Sequence, residues 1–193
     1  VAFFLRNQFV NERSGGGAVL FPGALSENLF LQTNGGQMSR VAADRHVRVP
    51  EGPVEVACIA AGNQDEHFVD PKPSFMTMLR DAQVLLVNGL ELEIGWIPPL
   101  VDGSRNAGVR PGSAGYVDCS AGIATVEVPG AGASRADGDV HPLGNPHYLL
   151  DPLNAKVVAR TMADAFAKIQ PAGAEGFEER CKGFCKRIDA ALF

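Results

Sequence analysis

The stretch that most constrains this chain is Gln83–Gly89, Gln-Val-Leu-Leu-Val-Asn-Gly. Val84 to Val87 are apolar without alternation, so both faces of a strand here must be covered. A strand on a half-wet antiparallel sheet alternates apolar and polar residues, whereas one in a parallel sheet between helices reads as a continuous apolar run. A second run, Val-Glu-Val-Ala-Cys-Ile-Ala-Ala over 54–61, is rich in β-branched and small apolar residues and is closed by Gly62-Asn63, again the pattern of a buried strand. Between the two lies a polar loop and then Phe-Met-Thr-Met-Leu-Arg-Asp-Ala, a short helix with Ser74 as its expected N-cap. Strand, helix and strand in this order predict an α/β domain with a mainly parallel sheet flanked by helices. Ligands of such sheets sit in loops at the carboxyl ends of strands, and the loop carrying His67 directly follows the strand ending near Ala61.

Elsewhere the pattern is uneven. Residues 1–50 contain Gly15-Gly16-Gly17 and Gly35-Gly36 and no sustained period, so at most short strands are expected, near 18–21 and 29–32. Leu-Glu-Leu-Glu-Ile-Gly-Trp from 90 to 96 starts in a helical pattern that is expected to stop at Pro98-Pro99. Short strands are expected at 116–119 and 124–128, followed by a Gly/Ala-rich loop at 130–138. Asp151 is the expected cap of a helix whose first residue is Pro152, with Leu153, Val157, Val158, Met162, Ala165, Phe166 and Ile169 as its apolar stripe. Pro171 and Gly173 break that helix, and a last one runs from Ala174 to Leu192.

Bulk properties narrow the partners. A chain of 193 residues can bury a core without disulfide staples. With a net charge of −5 and no cluster of Lys or Arg, there is no basic face for a nucleic-acid backbone. No apolar run reaches the roughly 20 residues of a membrane span. The N-terminal Val-Ala-Phe-Phe-Leu patch is interrupted by Arg6 and has no small-residue cleavage site after it, so no secretory signal is read there, and without an initiator Met the N-terminus looks incomplete or processed. Of the four cysteines, Cys181 and Cys185 fall on one helix face with no histidine beside them, and read as apolar filler.

Candidate chemistry lies with the histidines. His67 sits among Asp65, Glu66 and Asp70 in a loop stiffened by Pro71 and Pro73; nearby carboxylates favour a cation and orient an imidazole. The alternative is a solvated acidic loop. His141 and His147 stand six apart, each beside a proline, and imidazole suits zinc, copper, iron and nickel. His147 is the favoured ligand of the pair, and His141 the secondary one, a turn before the Asp151-Pro152 helix start being its simpler reading. His46, between Arg45 and Arg48, reads as an exposed bystander. There is no nucleophile elbow, Walker loop or His-Glu-x-x-His. Trp96 reads as core.

Two segments carry a family resemblance. His-Phe-Val-Asp-Pro-Lys-Pro-Ser through Gln-Val-Leu-Leu-Val-Asn-Gly-Leu-Glu-Leu-Glu, and Gly-Asn-Pro-His-Tyr-Leu-Leu-Asp-Pro-Leu, together resemble the N-terminal lobe of the metal-binding solute-binding proteins of zinc and manganese ABC transporters, in the family's order. The resemblance covers residues 54–193. It implies one lobe of a two-lobed protein: an irregular N-terminal region over 1–50, a metal-binding lobe over 51–172, and the start of the inter-lobe helix over 173–193, with the second lobe absent from this chain. It implies His67 and His147 as the first and second histidine ligands of Zn2+ or, second, Mn2+, with His141, Glu66 or water completing a weak, exchangeable site. It implies delivery to an ABC permease, in the periplasm or otherwise outside the cytoplasm, and no enzymatic activity. The competing readings are a metal-dependent hydrolase with Glu66 as general base, and a one-lobe fragment without metal.

Overall fold

A computed structural model describes residues 3–6, 56–60, 65–130 and 140–192. The strands expected at 18–21 and 29–32, and His46, lie outside them. The chain divides into two compact units: residues 1–87 with 93–116, and residues 88–92 with 117–193.

The first unit is α/β. β1 (Phe3–Arg6) lies between β2 (Val56–Cys58) and β3 (Ala82–Val87) and is antiparallel to both, with Phe3 opposite Cys58 on one side and Leu86 on the other. The two strands read from the sequence, β2 and β3, therefore run in the same direction, with β1 interposed. β3 is as buried as its composition requires: Val84, Leu85, Leu86 and Val87 are all inaccessible. α1 (Pro73–Arg80) packs against the sheet through Leu79, and α2 (Ile97–Ser104) packs against α1 through Leu100 and Val101. Asn106 joins these pieces, donating to the carbonyls of Leu79 (2.9 Å) and Ala82 (2.7 Å) and accepting from the Gly108 N–H.

Three local expectations are corrected by proline and backbone chemistry. α1 begins at Pro73, with Lys72 rather than Ser74 at the cap. α2 begins where a helix was expected to end, because Pro98 and Pro99 occupy its first turn, where a missing N–H costs nothing. Residues 124–128 form no strand; Glu127 is at φ 55°, a left-handed conformation that interrupts extended pairing.

β4 (Tyr116–Asp118), which starts on the last residue of the first unit, ends in the second in a turn held by the Asp118 carboxylate, which accepts from the N–H and hydroxyl of Ser120. α3 (Pro152–Ile169) starts as read, its Asp151 carboxylate accepting from the Leu153 N–H at 2.8 Å. It buries Ala155, Val158, Met162, Ala163 and Phe166, while Leu153 stays exposed. After a short turn at Pro171–Gly173, α4 (Ala174–Leu192) returns along α3, with Phe177 against Phe166 at 5.5 Å between ring centres and Glu178 paired with Arg160. Each large apolar side chain buried this way contributes about 1.5–3 kcal/mol.

Candidate metal centre

His67 belongs to the first unit and is held by its own loop. The Asp65 carboxylate accepts from the His67 backbone N–H at 2.9 Å and lies 2.8 Å from Nδ1 of the imidazole. The Asp65 carbonyl closes the turn by accepting from the Phe68 N–H. A carboxylate at Nδ1 orients an imidazole and favours the tautomer protonated there, the usual support of a metal-binding histidine. The loop is also anchored from the core: buried Trp96 donates its indole N–H to the Glu66 carbonyl at 2.9 Å. Trp96 is core, as its sequence context indicates. Its second role, pinning the residue before His67, spans 30 positions and has no local sequence signal.

His141 and His147 belong to the second unit, which brings them together. Their rings stand edge to face, 6.2 Å between centres, and each presents a nitrogen within 4.8 Å of the other. The turn responsible needs Gly144, at φ 108°, whose N–H donates to the His141 carbonyl. A side chain at 144 would meet Thr125 and the Val126 carbonyl at 3.0–3.1 Å. Asn145 then anchors the loop through its N–H to the Val126 carbonyl (2.9 Å) and its amide to Glu127 (2.6 Å), and it accepts from the His147 N–H (2.8 Å). His147 itself is exposed, between buried Pro146 and Tyr148. His141, the secondary candidate, thus stands beside the favoured one.

The cysteines stay outside this chemistry. Cys181 is buried on α4, and burial, with Cys185 beside it, pushes its thiol up to about 11, so it is protonated at neutral pH and a poor ligand.

The model of the family described as zinc-uptake complex component A, periplasmic (ZnuA), matches residues 41–192. The chain belongs to this family. A protein of Treponema pallidum (strain Nichols) described as metal-binding is 27% identical over 142 residues, 71% of this chain and 43% of its own length. The manganese ABC transporter substrate-binding lipoprotein PsaA of Streptococcus anginosus is 22% identical, covering 77% of this chain and 46% of its own. A solved ZnuA deletion mutant with zinc bound superposes with a TM-score of 0.58 at 26% identity, over 72% of this chain and 47% of that one. The chain spans about half the length of the curated relatives it matches. The ZnuA family is one of solute-binding components and not of enzymes, which sets the hydrolase reading aside.

Proposed function

We propose that this chain binds one divalent transition-metal ion with His147 and, beside it, His141 as ligands, adds His67 to them as the family resemblance implies, and hands the ion to an ABC-type importer outside the cytoplasm. The reading is carried by the His141–His147 pair, two nitrogen donors within 4.8 Å on one pinned turn. His67 supports it, because Asp65 engages Nδ1 and orients the imidazole. An all-imidazole donor set favours zinc over manganese, which prefers oxygen ligands and lies lower in the divalent affinity order. The fourth tetrahedral position is left to water or to a further protein donor, which makes the ion exchangeable, as a carrier requires. Extracytoplasmic location and the permease partner rest on family membership and on the relatives described as substrate-binding lipoproteins.

The test is zinc affinity by competition with a chromophoric chelator. His67→Ala and His147→Ala are each expected to remove most of it, and His141→Ala a substantial part, while His46→Ala leaves it intact. Equal affinity in all four variants overturns the assignment, and no zinc binding by the unaltered chain overturns the metal-carrier reading itself.

A further inference from the structure

One buried polar residue outside the ligand set holds both neighbours of His147. Asn88, at the end of β3, is 3% exposed. Its amide donates to the Pro146 carbonyl at 3.0 Å, and its own carbonyl accepts from the Tyr148 hydroxyl at 2.7 Å. Both bonds are buried and join positions 58 and 60 apart in sequence. Asn88 is itself fixed, since Gly89 follows at φ 86° with Asp118 where a Cβ would stand, 2.0 Å from its carboxylate oxygen. The residues on either side of an exposed imidazole, Pro146 through its backbone carbonyl and Tyr148 through its side-chain hydroxyl, are therefore tied to the same buried residue.

We propose that Asn88 is the positioning residue of the metal centre: through Pro146 and Tyr148 it fixes where the His147 imidazole stands, and so sets metal affinity without touching the ion. The proposal rests on His147 being a ligand. An asparagine suits the task because the side-chain N–H reaches one flank while its backbone carbonyl serves the other; alanine keeps only the second bond and leaves the Pro146 carbonyl without this donor. Groups that orient metal ligands are worth about 10–100-fold in affinity when removed.

The experiment measures zinc affinity by chelator competition, and the visible absorption of the Co2+ form, in Asn88→Ala, Tyr148→Phe and His147→Ala, with the melting temperature of each metal-free protein recorded alongside. Asn88→Ala is expected to weaken zinc binding by about 10-fold or more and to alter the cobalt spectrum, which reports donor geometry and is blind to a loss of stability alone. Tyr148→Phe, which removes one hydroxyl and keeps the ring, is expected to shift both readouts in the same direction by less. A lowered melting temperature with affinity and cobalt spectrum unchanged overturns the proposal and leaves Asn88 a purely structural residue. Should Asn88→Ala fail to fold, Tyr148→Phe decides alone, unchanged affinity and spectrum overturning the proposal. Unchanged affinity in His147→Ala sinks the ligand reading instead, an outcome separate from a neutral Asn88→Ala.

Discussion

At the scale of single residues, the carboxylate beside His67 can act in two ways. It can lend negative charge to a bound cation, or it can simply aim the ring by accepting from Nδ1. The geometry engages both, because one Asp65 oxygen holds the backbone N–H and the imidazole at 2.9 and 2.8 Å. Asp65 is largely exposed, its side chain 60% accessible, so solvent screens its charge and aim outweighs attraction. Asp65→Ala is then expected to weaken zinc binding about 10–100-fold. Asp65→Asn, which keeps an acceptor oxygen at the same place, is expected to lose much less. Chelator competition on the two variants separates the effects: equal losses would make charge the main contribution, and no loss in either would remove Asp65 from the site. The carboxylate was legible in the sequence because it lies two residues from the histidine it serves.

At the scale of elements, legibility follows the range of the causing interaction. β3 could be read from its unbroken apolar run, and the start of α3 from Asp151-Pro152, because strand burial and helix capping are written within a few residues. β1 could not, since Phe3 pairs with Cys58 and Leu86, partners supplied by distant sequence. Pro98-Pro99 was ambiguous in principle: the same missing N–H ends one helix and opens another, and only the surrounding packing decides. The approach of His141 to His147 was hidden in a single dihedral, that of Gly144. Replacing that glycine therefore tests the whole turn. At φ 108° an alanine is strained whatever the space around it, and here its Cβ also meets Thr125 at 3.0 Å. Gly144→Ala is expected to destabilise the metal-free protein by about 1–3 kcal/mol and to weaken zinc binding, read by denaturant unfolding and chelator competition. Unaltered stability would mean the turn relaxes into another conformation at no cost.

At the scale of the molecule, the question is whether metal makes the fold or only loads it. In zinc fingers the ion substitutes for a core, and removing it unfolds the chain. Here apolar cores exist in both units without a metal ligand among them: Leu79, Leu85, Leu86, Trp96 and Leu100 in one, Val158, Met162, Phe166 and Phe177 in the other. A chelator-treated chain is therefore expected to keep its helical circular dichroism. Zinc adds only the linkage term, about 2.7 kcal/mol at a free concentration 100 times the dissociation constant. For a domain of about this size each kcal/mol moves the melting temperature by about 2–4 °C, so saturating zinc should raise it by about 5–10 °C, reversibly, and manganese should raise it less at the same concentration. Melting followed by circular dichroism with chelator, zinc and manganese checks both halves. Collapse of the helical signal on chelation would make the ion structural, and a melting temperature indifferent to saturating zinc would deny that the folded chain holds it at all.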